Sequence, residues 1–588
     1  MSFEGIEFDN LSWYEIESAY RLLENSPEAR IKIKAGEFVA VCGPTGSGKL
    51  RLVIFTVIKV FIQGKSALIH LLAASNISHG KVNVRGSVNI LLNDGTSMNR
   101  CPRCWYDHVR IVPHIDHIVP TLQCKQVLDI SLQLHGSSKE GANQFLDLMK
   151  LRPFSTSQVN QFNHQVDLSS RGNLKKLSIL QAITGQPSLL LVDEPAYLVD
   201  LHNLTDIVKG LKSYASNESD SNWTCNHCGI NSPEPTKNCV IFAFNSILLS
   251  LKWPLIIEYI DKIILMSVSR QIIFYGSLPE AIATIGKGSI EGLIEALEGV
   301  SLNKKPAEVE AEITRKARKI RYNVPWYQQV RILLKRHWYQ VNNEPRQVFR
   351  VIIQRIIIFI ILSFIFAQPK SFNSFFGIFF FLPINQTANV LLFTTTEGFL
   401  PNELEIIERA RFSKTYKTWT LILAKLLILI PINIIPALIY LPALFYIADF
   451  RTQSSFIFFY LANILHIACT VPLGLFIASS SQDPFIRDLW LFGITTLFTT
   501  FGGIHTAANF QLAWILRWIQ YISPTYYLFL ILVQLEFTLD EIQNSLILGR
   551  FILSVGEAFS ALAGLGLLYT LLACISLSLS TRPSRILF

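Results

Sequence analysis

After about residue 350 the chain enters apolar stretches such as IIQRIIIFIILSFIF and FILSVGEAFSALAGLGLLYTLLACISLSL. These reach the roughly 20 apolar residues needed to cross a bilayer as a helix. The mean hydropathy of +0.35 over 588 residues agrees, and the length allows two or three domains. Spans are expected near 349–368, 375–396, 419–447, 455–479, 486–508 and 552–579. Six spans are an even number, so both termini lie on one side. Arg409, Arg411, Lys414 and Lys417 in the second loop, with Arg582 and Arg585 at the C-terminus, place that side in the cytosol by the excess of cations on cytosolic loops. The mixed stretch AWILRWIQYISPTYYLFLILVQLEF, between about 510 and 550, is interrupted by Pro524. It reads as re-entrant or interfacial on the outer side, because irregular backbone at that depth must be sheltered by protein.

The net charge of +9 reads as a surplus of lysine and arginine on cytosolic loops, and a nucleic-acid partner is not expected. The opening MSFEGIEFDN is acidic and has no apolar core, so the N-terminal domain is expected to stay in the cytosol. Nine cysteines in a cytosol-facing protein do not read as a disulfide framework. Cys101 and Cys104, and Cys225 and Cys228, have the spacing of zinc knuckles. They lie in different inserts, and free thiols are the expected reading.

Residues 1 to about 290 alternate short apolar runs (Phe38 to Val41, Val109 to Val112, Leu189 to Val192, Cys239 to Phe244) with helical stretches. This is the pattern of an α/β domain with a largely parallel sheet. The first of these strands leads into Gly43, Pro44, Thr45, Gly46, Ser47, Gly48 and Lys49. Such glycines let backbone N–H groups and a helix N-terminus face phosphates while the lysine neutralises them. The hydroxyl residue that should follow and hold Mg2+ is replaced by Leu50. Gly64, Lys65 and Ser66, followed by ALIHLLAAS, have the character the phosphate-loop helix requires. Deleting Leu50 to Lys65 would leave the uninterrupted GPTGSGKSALIHLL. That piece reads as a translated intron or comparable gene-model error, the alternative being a genuine insertion. A genuine insertion would compromise nucleotide binding by separating the glycine loop from the helix whose dipole should face the phosphate. Further on, the strand of LLLVDEP ends in Asp193, suited to a direct or water-mediated contact with Mg2+, and Glu194, suited to polarise an attacking water.

The order of these motifs resembles the nucleotide-binding domain of ABC transporters. In DLSSRGNLKKLSILQAI, Ser170 and Gly172 match the signature that closes on another subunit's ATP, whereas Arg171 and Asn173 depart from it. VPHIDHIVPTL resembles the Q-loop with His114 in place of glutamine, where the imidazole could still touch Mg2+ or water. Asp200 fits the D-loop. VIFAFNS resembles the strand before the switch histidine, but Asn245 stands at that position. Asparagine hydrogen-bonds a γ-phosphate but cannot take up a proton as imidazole does. A nucleotide domain ahead of six spans resembles the G subfamily, the white-type half-transporters. WYQQVRILLKR, ELEIIERARFSKTYKTWTLILAKLL and WIQYISPTYYLFLILVQLEF resemble its connecting helix, its loop into the third span and the stretch before its last span.

That resemblance implies an α/β P-loop NTPase domain of ABC type over 1–300, a linker and amphipathic connecting helix over 301–348, and an all-α six-helix transmembrane domain over 349–588. It implies ATP with Mg2+, a second half-transporter as homo- or heterodimer partner, and export of a hydrophobic or amphipathic solute through the lipid bilayer. The rival reading is a degenerate subunit that binds ATP and supports an active partner. Within WYQQVRILLKRHW, Trp326, Val330, Leu333 and Leu334 share a helical face with Arg331, Lys335 and Arg336 around it. The helix is expected on the membrane surface, against the globular domain, or both. Gln354 and Arg355 are expected to snorkel at a cytosolic end. Asn385 and Gln386 line a substrate path or, as the plainer reading, bond another helix.

Overall fold

The four expected runs are strands in the computed structural model, at Phe38–Gly43, Val109–Val112, Leu189–Val192 and Cys239–Asn245. The structure describes residues 3–15, 20–23, 30–43, 64–75, 82–93, 95–100, 105–116, 118–136, 142–159, 168–197, 199–219, 224–225, 230–231, 236–245, 256–267, 270–285, 322–365, 372–399, 403–448, 450, 456–481, 483–502, 518–537 and 553–582. The expected linker over 301–321 and the cysteines Cys101, Cys104 and Cys228 therefore lie outside the described residues. The chain divides into two units, one built mainly from Met1–Val324 and the other from Pro325–Arg411 with Tyr416–Arg582.

In the first unit a six-stranded sheet runs in the order Ile272–Gly276, Lys262–Met266, Phe38–Gly43, Cys239–Asn245, Leu189–Val192, Val109–Val112. Every pair is parallel except the first. Near-continuous apolar strands are what a parallel sheet needs, because its neighbours cover both faces. The register sets Gly43 beside Asn245 and Val192 beside Phe242, so the carboxyl ends of three strands finish close together. Gly43 has a packing reason to be glycine, since a Cβ there would sit 2.8 Å from the Met266 carbonyl oxygen. A second, five-stranded antiparallel sheet carries Phe8, Trp13 and Ile33 into a core shared with Leu68 and Leu71 of the helix Gly64–Leu72.

In the second unit, five helices among the described residues are long and apolar enough to cross a membrane: Val348–Ile365, Gly377–Gly398, Thr418–Ile447, Phe456–Ser480 and Val555–Ser580. The run expected at 486–508 forms the helix Pro484–Phe501, which has Arg487 and Asp488 near its start and does not meet the same measure. The stretch is interrupted just before Pro524, as expected: the short helix Trp518–Tyr521 ends and Pro524 opens a second helix, Pro524–Glu536, at the position where a missing N–H costs nothing. Phe456–Ser480 is the central element, with 72% of its apolar window buried against 17% for Val348–Ile365. Gly474 lets it approach Thr394 of Phe372–Gly398, where a Cβ would meet the Thr394 side chain at 2.6 Å.

Several polar groups inside this unit are tied helix to helix. Gln386 donates to the Asn463 carbonyl at 3.4 Å, the plainer of the two expectations for it, while Asn385 donates to Phe381 of its own helix. Arg355 does not snorkel. It is 4% exposed and donates to the Asn433 side chain and the Asn389 carbonyl, each at 2.7 Å, because two acceptors on neighbouring helices satisfy its guanidinium where it stands. Gln354 is exposed.

The helix Trp326–Asn343 buries Gln329, Val330, Ile332, Leu333, Arg336 and His337 and leaves Trp326 exposed. The buried stripe is rotated from the expected one because Arg336 turns inward, donating to Glu403 Oε1 at 2.6 Å. Glu403 Oε2 accepts from Lys425 at 3.0 Å. Removing one member of a buried ion cluster leaves the others desolvated without compensation, so Glu403→Gln is expected to destabilise this unit by about 3–5 kcal/mol. The measurement is thermal unfolding of the full chain in detergent, and a midpoint unchanged from wild type would contradict it.

Candidate nucleotide site

The helix Gly64–Leu72 starts where the strand Phe38–Gly43 ends. Lys65 Nζ donates to the Gly43 carbonyl at 2.9 Å, although the two residues stand 22 positions apart. The N-terminus of this helix thus sits at the strand end despite the intervening residues, and separation along the chain is not separation in space. Pro44, Thr45, Gly46, Ser47, Gly48 and Lys49 lie outside the described residues, so of the two candidate lysines it is Lys65 whose position is seen. Burial disfavours its charge and lowers its pKa, against the opposing pull of Glu194, Cys42 and Asp193.

Across the sheet, Ser66 Oγ donates to Asp193 Oδ1 at 2.9 Å. Asp193 ends the Leu189–Val192 strand, with its N–H donating to the Val112 carbonyl, and is 2% exposed. Burial pushes its carboxyl up to about 6, the Ser66 hydrogen bond opposes, Glu194 adds to the rise, and His114 and Lys175 oppose it. Glu194 follows in the left-handed region at φ 43°, a conformation that non-glycine residues adopt at a cost. Its Oε2 lies 3.3 Å from His114 Nδ1. Oε1 is buried with no hydrogen-bond partner among the described residues. Burial raises its pKa, but the contact with His114 and the charges of Lys65, His114 and Lys175 outweigh that and lower it.

Lys65, Ser66, Asp193, Glu194 and His114 are thus brought together, with Gly43 at the strand end. Asn245 reaches the same edge, its Cα in register with Gly43. Ser170 and Gly172 lie in the helix Leu168–Ile183. Asp200 caps the helix Leu201–Ser216, accepting from the Asn203 N–H at 3.1 Å and its side-chain amide at 2.6 Å. A Cβ on Gly172 would strike that same Asn203 side chain at 2.6 Å, so Gly172 and Asp200 meet through Asn203.

Two further residues join the site. Lys175, 2% exposed, donates to the Pro113 and His114 carbonyls at 3.0 Å each and pairs with Asp116 at 3.0 Å. The Tyr197 ring stands 4.2 Å from that of His114. No spacing in the sequence links Lys175 to Asp116; the signal available was only a pair of lysines flanked by leucines. Among the described residues no cluster of three His, Cys, Asp or Glu side chains is placed to hold a metal ion. Mg2+ does not need one, since it keeps several waters and takes one or two protein oxygens beside phosphate. The adjoining Ser66 and Asp193 oxygens fit that demand.

Residues 63–197 match the family model described as ABC transporter, and residues 328–537 match that described as ABC-2 type transporter. Over 176 residues the chain is 28% identical to the spermidine/putrescine import ATP-binding protein PotA of Fusobacterium nucleatum, covering 29% of this chain and 39% of that protein. It is 25% identical over 174 residues to the lipoprotein-releasing system ATP-binding protein LolD of Zymomonas mobilis, covering 29% of this chain and 63% of that protein. It is 25% identical over 185 residues to the macrolide export ATP-binding/permease protein MacB of Chlorobium luteolum, covering 31% and 24%. The chain spans less than two thirds of the length of each of these relatives. The fold is that of a P-loop nucleotide-binding domain of ABC type followed by a helical membrane-type domain. The chain has the build of an ABC transporter whose ATP-binding domain precedes an ABC-2 type membrane domain, an integral membrane protein.

The raised Asp193 carboxyl carries a stability consequence. The folded protein holds this proton up to about pH 6, whereas an ordinary aspartate releases it near 3.8. The cost of the buried charge is therefore absent below 3.8, grows across that window and is complete above 6. Asp193→Asn is expected to stabilise the nucleotide-free protein by about 3 kcal/mol at pH 7.5 and by nothing measurable near pH 3.5. Thermal midpoints of the two proteins across that range check it, and a gain that is the same at every pH would speak against the assignment.

Proposed function

We propose that this chain is a half-transporter of the G subfamily that hydrolyses ATP and, paired with a second copy or a related half, exports an apolar or amphipathic solute. The observation that carries the reading is the Ser66–Asp193 hydrogen bond of 2.9 Å. It joins the helix of the phosphate loop to the strand of paired acids, with Lys65 on one side and Glu194 on the other. The ABC transporter match begins at residue 63, which takes in Lys65 and Ser66 and leaves Lys49 out. Export is supported by the resemblance and by the likeness to a macrolide export protein.

On this reading Lys65 and the helix N-terminus hold the β and γ phosphates, with Gly43 and the glycine loop from Pro44 to Gly48 around them. Ser66 and Asp193 would hold Mg2+, which when bound neutralises phosphate charge. Glu194 orients and deprotonates the attacking water. Ser170, Gly172 and Asp200 serve the composite site made with the partner subunit, and Asn245 contacts the γ-phosphate as an amide. Both termini and the nucleotide domain are cytosolic. A second reading, a subunit that binds ATP with little hydrolysis and supports an active partner, is favoured by Asn245, Arg171 and His114, which depart from the resembled pattern.

Full-length protein in liposomes separates them. Lys65→Ala is expected to weaken ATP binding about tenfold or more, a loss of about 1.4 kcal/mol, with Lys49→Ala within about twofold of wild type. Glu194→Gln is expected to keep binding and lower turnover about 10²–10⁴-fold. The reverse pattern for the two lysines would refute the site. Intact binding with no turnover in wild type would establish the second reading.

A further inference from the structure

Glu194 needs one carboxylate oxygen fixed and the other left without a protein partner. Its Oε2 lies 3.3 Å from His114 Nδ1, and its Oε1 is buried with no hydrogen-bond partner among the described residues. The imidazole is itself gripped by the turn that Glu194 begins. The Tyr197 N–H donates to the Glu194 carbonyl at 3.2 Å, and the Tyr197 ring packs at 4.2 Å, tilted 49°, against His114. From the other side, Lys175 Nζ takes the Pro113 and His114 carbonyls at 3.0 Å each and is neutralised by Asp116 at 3.0 Å. The loop that carries His114 is thereby pinned to the helix Leu168–Ile183.

We infer that His114 is a positioning residue for Glu194, fixing one carboxylate oxygen through Nδ1 so that the other faces the attacking water, with Lys175 holding the loop from which it acts. The inference rests on the hydrolysis reading above and deepens it: position 245 offers an amide where an imidazole is expected, and position 114 offers an imidazole where an amide is expected. In the step served, the water oxygen bonds to the γ-phosphorus as the bond from that phosphorus to the β,γ-bridging oxygen breaks. ADP leaves with the electron pair, and the water proton passes to Glu194. His114 takes no part in bond making. It limits the rotation of a carboxylate whose backbone already stands at φ 43°, and a catalytic group must be held within a narrow range of orientations to be effective.

The side-chain geometry makes the test selective. An asparagine amide nitrogen falls near the place of Nδ1, whereas a glutamine amide reaches towards the place of Nε2. In the full chain reconstituted in liposomes, His114→Ala is expected to lower kcat about 10–100-fold with KM within about threefold, the signature of a loss felt in the transition state alone. His114→Asn is expected within about threefold of wild type, and His114→Gln close to His114→Ala. Should His114→Ala fold poorly, the Asn and Gln variants, which keep a polar side chain there, still decide the matter. Wild-type turnover that survives His114→Ala, a loss confined to KM, or a better rescue by glutamine than by asparagine overturns the positioning role and leaves hydrolysis standing. Wild-type protein that binds ATP yet turns over no faster than Glu194→Gln overturns hydrolysis and this inference together.

Discussion

The parallel register of three buried strands sets up the nucleotide site. Gly43 and Asn245 are level because their strands pair in step, and the neighbouring Leu189–Val192 strand delivers Asp193 and Glu194 to the same edge. A one-residue slip would turn each side chain to the opposite face. It would take Val39, Val41, Leu189, Leu191, Ile241 and Ala243 out of the one core that they share on their face of the sheet. Ligands of open α/β sheets bind beyond the carboxyl ends of the strands, and here that edge carries the lysine, the hydroxyl, the paired acids and the histidine together.

Much of this was legible in the sequence because it rests on local rules. The strand at Val109–Val112 and that at Leu189–Val192 have the expected ends, and most of the long apolar helices fall where the runs predict them. Contacts between distant segments were not legible. The helix Trp326–Asn343 turns Arg336 inward because Glu403, far along the chain, waits for it. Arg355 stays buried because Asn433 and Asn389 meet it. Periodicity counts apolar residues and cannot register that a charge has acquired a partner. Lys175 escaped notice for the same reason, its acceptors being backbone carbonyls that no sequence pattern marks.

The two units answer the burial of polar groups in related ways. In the membrane unit, some buried polar side chains are answered by their own helix, as Asn463 is by the Phe459 carbonyl, and others by groups of other helices, as the Arg336–Glu403–Lys425 cluster illustrates. In the nucleotide unit the buried Lys176 meets the buried Asp206 at 2.8 Å, and the exposed Lys150 reaches the same carboxylate at 2.7 Å. Breaking such groups leaves desolvated charge, whereas their net stabilisation is small.

The contact between Lys65 and Gly43 also bears on how such a chain tolerates extra sequence. Closing a loop costs entropy that grows only with the logarithm of its length. Lengthening the connection from about 6 positions to the 22 seen here is less than two doublings, or about 1 kcal/mol. Strand and helix are held by a shared core and do not rely on the connection to find each other. The anchor points of a phosphate loop can therefore persist while the loop between them lengthens, and the penalty shifts from the fold to the ordering of that loop around a bound nucleotide.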